Sequence, residues 1–197
     1  MASAREKLLR AAGQRFYADG ITATGVDAIV AEAGVAKMSL YNNFASKQEL
    51  VVTYLERRHE EWLGFLAARL AASAGPDERV LAVFDAYLDH AALHYEGGFR
   101  GCGGLNGAAE LPVGHPGREA VRRHKNEVRQ ILAGLCAEAG VESPDRVAGH
   151  LFLLVEGGVV SAGLSGNSER LLEAREVARS VLALATPSAP PGTQSPR

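Results

Sequence analysis

The sequence predicts an all-α chain: an N-terminal three-helix head carrying a helix-turn-helix over residues 1–47, a larger helical domain over 48–186, and a disordered tail over 187–197. Three observations predict it. Apolar residues recur at helical spacing along almost the whole chain, with no convincing alternating pattern of the kind a strand would show. Residues 24–50 hold two short helical patterns joined by a glycine turn and followed at once by a helix cap. Hydrophobic residues occupy 47% of the 197 positions, ample for a core.

In that segment Thr24 reads as an N-cap, with Asp27 three residues on in a shortened capping box. Ala28, Ile29 and Val30 carry the first short helix, and Ala33, Gly34 and Val35 make the turn, where Gly34 is free to take the left-handed conformation. A second helix over 36–44 turns Leu40 and Phe44 inward and leaves Lys37, Met38, Ser39, Tyr41, Asn42 and Asn43 on its other faces. A short helix offering Lys, Ser, Tyr and Asn outward has the chemistry of a DNA recognition helix. Ser46 and Glu49 have the spacing of a full capping box and open the next helix two residues later.

Ala33, Gly34 and Val35, then Leu40, Tyr41, Phe44, Ser46, Lys47, Glu49 and Leu50, with Phe16 and Gly20 upstream, resemble the DNA-binding signature of the TetR family of bacterial regulators. The resemblance implies DNA contacts from Lys37, Ser39, Tyr41, Asn43 and Lys47, and from Thr24 and Gly25 at the start of the second helix. Asn42 can bond a phosphate from the same surface, which Met38 shares. Phosphate contacts position and base contacts specify, so Lys47, Thr24 and Tyr41 are expected to give affinity and Lys37 to Ser39 specificity. The resemblance further implies a homodimer on a palindromic double-stranded DNA operator, most often as a repressor. It also makes 48–186 a ligand-binding and dimerisation domain, with a small-molecule effector and the fourth helix as lever.

The remaining helices follow from caps and breaks. Ser3 and Glu6 form a capping box for a first helix whose Leu8, Leu9, Ala12 and Phe16 make one stripe, and Gly20 ends it. A fourth helix over 47–73 turns Leu50, Val51, Tyr54, Leu55, Trp62, Phe65 and Leu66 inward. A fifth runs over 77–95. Residues 97–107 are glycine-rich and read as a loop leading into a short helix over 106–111. A helix over 117–139 ends at Gly140, and Ser143 with Pro144 opens another to 164. Asn167 or Ser168 caps the last, to about residue 185, and four prolines crowd the tail. That makes about nine helices.

Formal net charge is −2, which excludes a generally basic nucleic-acid coat. Residues 1–50 hold six Lys/Arg against five Asp/Glu, or +1, and the remaining fifteen against eighteen give −3. A mildly positive head on an acidic body suits contact with DNA at one end only. Cys102 and Cys136 form no Cys-x-x-Cys pair, which argues for a reducing compartment. The N-terminus lacks the apolar stretch of a signal peptide. The apolar run 147–166 carries Glu156, His150 and several glycines, so it reads as a buried helix rather than a membrane span. The expected location is the cytoplasm, with no membrane partner.

The larger domain offers further candidates. Trp62, Phe65, Phe84, Tyr87, Phe99 and Phe152 line a candidate apolar cavity, with Cys102, Asn106, Glu110 and Glu156 as polar contacts and an apolar or aromatic effector expected. A carboxylate such as Glu156 in an apolar run needs a partner or a shifted pKa. The alternative is an aromatic core with a partnered carboxylate. Small residues at Gly158 and Ala162, with Val177 and Val181 on the last helix, mark the expected dimer interface. His90 and His94 share a helix face at metal-pair spacing, with Cys102 or His115 as a possible third ligand, and Cys102 after Arg100 has the setting of a reactive thiol. No metal or cofactor is assigned, and a metal or redox response stays an open alternative. No catalytic residues emerge: nucleophile, base and orienter spacings are missing, and the Gly-rich stretch 100–104 lacks the Lys-Ser/Thr ending of a phosphate-binding loop.

Overall fold

The computed structural model describes residues 2–93 and 98–186, and among them nine helices and no strand. In order these are α1 (Ala4–Ala18), α2 (Val26–Ala33), α3 (Lys37–Asn43), α4 (Lys47–Ala72), α5 (Pro76–Ala91), α6 (Gly103–Glu110), α7 (Pro116–Glu138), α8 (Pro144–Ser165) and α9 (Glu169–Ala185). The expected disordered tail and His94 lie outside the described residues.

Local chemistry explains the ends. Ser3 Oγ accepts from the Glu6 N–H while Glu6 Oε2 accepts from the Ser3 N–H at 2.8 Å, the expected reciprocal box. Proline at the first helical position opens α5, α7 and α8, where a missing N–H costs nothing. At α4 the box is shifted: Ser46 Oγ accepts from Glu49 N–H, but the Glu49 carboxylate reaches back to Ala45 at 2.6 Å rather than to Ser46.

Two elements differ from expectation. Helix α5 stops at Ala91, earlier than residue 95, with Ala92 as its cap. Helix α6 starts at Gly103, inside the stretch expected to be loop. Glycine costs a helix about 1 kcal/mol relative to alanine, and here close packing requires it. A Cβ at Gly103 would meet the Tyr54 hydroxyl at 3.0 Å and the Tyr17 ring at 3.1 Å; one at Gly107 would meet Ile21 at 2.8 Å and Leu55 at 3.2 Å.

Two apolar clusters organise the molecule. The head core gathers Leu8, Ala12, Phe16, Ile29, Leu40 and Phe44, and extends onto α4 through Leu50, Val51, Tyr54 and Leu55. The body core gathers residues of α4, α5, α7, α8 and α9, including Phe84, Leu132, Leu151, Leu171 and Leu182. Helix α4 belongs to both; at 26 residues it spans about 39 Å. Helix α8 is long and apolar enough to cross a membrane by length and composition, but one side of it is packed between α7 and α9 in the body core.

Bonds between polar groups fix the head to the body. Glu110, at the end of α6, accepts from the backbone N–H groups of Ile21 (3.1 Å) and Thr22 (2.8 Å) in the α1–α2 turn. Arg100 donates to the Tyr17 carbonyl at 2.8 Å and to that of Ala18, the last turn of α1. The Tyr17 hydroxyl accepts from the Arg100 N–H and donates to the Gly101 carbonyl. Gly20 permits this junction twice over: its φ of 96° is left-handed, and a Cβ there would sit 2.9 Å from Glu110.

Candidate nucleic-acid interface and ligand cavity

The turn between α2 and α3 is built as a left-handed cap. Gly34 takes φ 61° and ψ 39°, and the N–H groups of Gly34 and Val35 bond back to Ala31 and Val30 at 3.1 Å. Leu40 and Phe44 then anchor α3 in the head core, both essentially unexposed. This leaves Lys37, Met38, Tyr41 and Asn42 in solvent on the outer side, with Met38 68% and Tyr41 48% exposed. An exposed apolar and aromatic pair beside a cation and an amide is a surface built for a partner. Lys37 Nζ meets Asp27 Oδ1 at 2.7 Å, and this hydrogen bond holds the ammonium above its usual pKa. Both side chains are well exposed, so the pair is weak and a phosphate can displace Asp27.

The other expected contacts are less open. Ser39 and Asn43 are half-buried, and the Asn43 amide donates to the Ser39 carbonyl of its own helix at 2.7 Å. Lys47 donates to the Ile21 carbonyl at 2.7 Å, so it also braces the α1–α2 turn. Gly25 is exposed and, in place of Thr24, forms the N-cap of α2. Thr24 is the correction: it is buried, and its hydroxyl donates to the Gly20 carbonyl at 2.6 Å. A hydroxyl committed there neither caps α2 nor reaches a phosphate, so Thr24 supports the turn.

In the body, a cavity of about 40 Å³ lies where α4, α5, α6 and α7 meet. Four residues of α4 (Leu55, Arg58, His59, Trp62) and four of α7 (Val121, His124, Lys125, Val128) line it at the same spacing, a polar pair between two apolar residues on one helix face. Tyr87 and His90 come from α5, and Cys102, Gly103 and Gly104 from the start of α6. The rings of His59 and His124 stack 4.2 Å apart, and Trp62 continues the stack beside His59.

Its ionisable groups are held in defined states. Lys125 donates to Glu156 at 2.7 Å and to the Tyr87 hydroxyl at 3.2 Å. Burial alone would lower the Lys125 pKa, but Cys102, Tyr87 and Glu156 outweigh it and keep the ammonium charged. Burial, reinforced by the neighbouring Arg58 and Lys125 cations, pushes His90 down to about 3. Burial and the neighbouring His59 push His124 down to about 4. Both imidazoles are therefore neutral near pH 7. Arg58 donates to Glu61 at 2.8 Å and to His90 Nε2. His59 donates to Glu127 at 2.9 Å.

Of the expected pocket residues, Trp62, Tyr87 and Cys102 line this cavity. Phe84 is fully buried core, and Phe65, Phe99 and Phe152 are half-buried against that core. Asn106 donates to the Arg100 carbonyl at 2.7 Å, and Glu110 is spent on the α1–α2 turn. Glu156 stands behind Lys125 as its counter-charge, the partnered carboxylate of the alternative reading. Sequence reasoning missed Arg58, His59, His124 and Lys125. The detectable signal was the polar pair inside each apolar stripe of α4 and α7. A wider groove of about 560 Å³ runs between α1 and α4, lined by Glu6, Arg10, Gln14, Tyr54, Arg57 and Glu61 among others.

Gly158, Ala162 and Gly163 of α8 act within the chain. A Cβ at Gly158 would press into Ala174 at 2.9 Å, so its surface faces α9, and Ala162 is fully buried. Gly163 lets the backbone at Arg100 and Gly101 cross α8, since a Cβ there would come within 2.5 Å of the Gly101 nitrogen. Gly158 and Ala162 are therefore not an outer surface. Val181 is half-buried against the body core, and Val177 is exposed. The outward apolar face instead consists of Leu153, Val160 and Leu164 on α8 with Leu172, Val177 and Leu184 on α9; Leu153, Leu164 and Leu184 are 70%, 86% and 89% exposed.

Among the described residues, no group of three or more His, Cys, Asp or Glu is arranged to hold a metal. His90 packs in the cavity, and His115 caps α7, its Nδ1 accepting from Gly117 at 3.0 Å. Cys102 and Cys136 are both free thiols, and burial pushes Cys136 up to about 11.

Comparison with known proteins bears on the family. Residues 8–53, from within α1 to the first turns of α4, match the family model of the bacterial regulatory proteins of the tetR family. A segment of 85 residues is 34% identical to the HTH-type transcriptional activator FasR of Mycolicibacterium smegmatis; it covers 43% of this chain and 39% of that relative. The crystal structure of a TetR-family transcriptional regulator from Streptomyces coelicolor superposes with a TM-score of 0.85 at 30% identity, covering 93% of this chain and 96% of that one. That of a putative tetR transcriptional regulator from Streptomyces avermitilis gives 0.74 at 30% identity, covering 93% and 98%.

Proposed function

The chain belongs to the TetR family of DNA-binding, non-enzymatic transcriptional regulators, and from that premise we propose that it represses transcription as a homodimer bound to a palindromic operator, and that a small-molecule effector releases it. The outer face of α3 carries this reading. Lys37, Met38, Tyr41 and Asn42 stand in solvent on a helix whose inner side is locked by Leu40 and Phe44, so recognition requires no rearrangement of the head. Two such heads need a rigid pairing. The exposed leucines and valines of α8 and α9 are the seat for a second copy, joined by a two-fold axis that matches the operator. The protein acts in the cytoplasm, where its operator is.

The effector enters the body cavity and reaches the head along two routes. Helix α4 runs from the cavity residues Arg58, His59 and Trp62 into the head core. Helix α6 starts at the cavity with Gly103 and Gly104 and ends at Glu110 on the α1–α2 turn. An effector that fits one head spacing better than another shifts the population by that difference in affinity.

Selection of bound duplexes from a random DNA pool tests the core of this reading, with the Lys37→Ala/Tyr41→Ala variant as control. An enriched palindrome that the variant loses supports it; a folded dimer that enriches nothing at low salt overturns it. Activation is the second reading, favoured by the similarity of part of the chain to the transcriptional activator FasR. A reporter gene carrying the selected palindrome decides between them by the sign of its response.

A further inference from the structure

Resting on the effector-responsive reading above, we infer that the cavity between α4, α5, α6 and α7 seats the carboxylate headgroup of an anionic effector. The wall has one chemical character. Its polar side chains are Arg58, Lys125, Trp62, Tyr87, Cys102 and three histidines, and among the described residues no Asp or Glu lines it. Trp62 is 4% exposed, and its Nε1 has no acceptor among the described residues. An indole N–H only donates, so a matching ligand must bring an acceptor.

Helix α6 adds a second, independent pointer. Its N-cap Cys102 makes no side-chain cap, and its first-turn residues Gly103 and Gly104 line the cavity. Backbone N–H groups at that position lack intrahelical acceptors and carry the positive end of the helix dipole. Indole, ammonium, guanidinium and uncapped backbone donors thus converge on one space from three helices.

Size and shape narrow the class. About 40 Å³ suits a group of a few heavy atoms. The stacked rings of His124, His59 and Trp62 form one side of the wall. A carboxylate is planar, and its two oxygens accept about four hydrogen bonds. Glu61 and Glu156, outside the wall, hold Arg58 and Lys125 in place before any ligand arrives. The remainder of the effector then lies outside this small space. The apolar or aromatic effector expected from sequence becomes an acid with its charged end buried here.

The test uses the full chain and two pairs of probes, formate against formamide and acetate against acetamide, at ionic strength matched with sodium chloride. Trp62 is the single tryptophan, so its indole N–H proton is one identifiable resonance. Formate and acetate are expected to move that resonance and raise Tm, while the amides and chloride do neither. Trp62→Phe keeps a ring in place and is expected to weaken the acetate-dependent rise in Tm about fivefold in concentration, the loss of one hydrogen bond. Amides that act as strongly as acids, or acids that leave the resonance unmoved, overturn the carboxylate assignment. Binding of the selected palindrome, measured on the same preparation without probe, tests the regulatory reading separately. A palindrome bound with no acid response removes only the cavity assignment, whereas no palindrome removes the reading on which it rests.

Discussion

Head and body place their polar and apolar groups in opposite ways. The head buries Leu40, Ile29 and Phe44 and sets Lys37, Tyr41 and Asn42 in solvent. The body draws His90, Lys125 and Glu156 inward and the Arg175–Asp85 pair partly inward, while Leu153, Leu164 and Leu184 face outward. An exposed polar face on a rigid apolar base suits a hydrated, charged partner such as DNA. An exposed apolar face suits another copy of the same face, and buried polar groups suit a ligand that replaces water. The inversion therefore gives each side of the molecule the chemistry of a different partner.

Breaking the outer apolar face should have the largest effect. Leu164→Arg with Leu184→Arg is expected to give a folded monomer by sedimentation and to lower operator affinity about 10²–10⁴-fold through lost bivalency. A double variant that stays dimeric would assign the pairing to another surface. Next comes the buried pair. Lys125→Met leaves Glu156 without its counter-charge and is expected to cost about 3–5 kcal/mol in urea unfolding. Adding Glu156→Met should restore most of that; a double variant as unstable as the single one would show that the cost is packing rather than charge.

Acid should separate the two regions. All six histidines lie beyond residue 58 in sequence, outside the head. Below its ordinary pKa of about 6.5 the unfolded chain protonates His90, whereas the folded chain resists until about 3. The folded state thus binds fewer protons, and stability falls as pH falls. The loss from His90 alone is about 2 kcal/mol by pH 5. His90→Gln should flatten the pH dependence, and an unchanged slope would show that other groups carry it. The smallest effect sharpens the head. Lys37→Ala is expected to lose about tenfold in duplex affinity and to lower the salt slope by about one, with the melting temperature unchanged. An unaltered salt slope would place Lys37 off the phosphates.

Much of the head was legible because its chemistry is local. A glycine in a left-handed turn, an apolar pair four residues apart and a cap within three residues each declare themselves inside one short window, and together they specify the recognition helix. Thr24 was misplaced because a hydroxyl can satisfy a following N–H or a preceding carbonyl, and only the fold of the α1–α2 turn chooses Gly20. Gly158 was misread because a small residue permits close approach without saying by what; the approaching surface is α9 of the same chain.

The sequence by itself determined the all-helical architecture, the turn and caps of the head, the outward residues of α3 and the family, since periodicity, caps and turn glycines act over a few residues. Tertiary structure alone decided that Arg58 meets His90, that His59 stacks on His124, and that Lys125 finds both Tyr87 and Glu156. Those partners stand 31 to 65 residues apart, and a side chain at that distance is indistinguishable from a solvated one until packing brings its neighbour within reach.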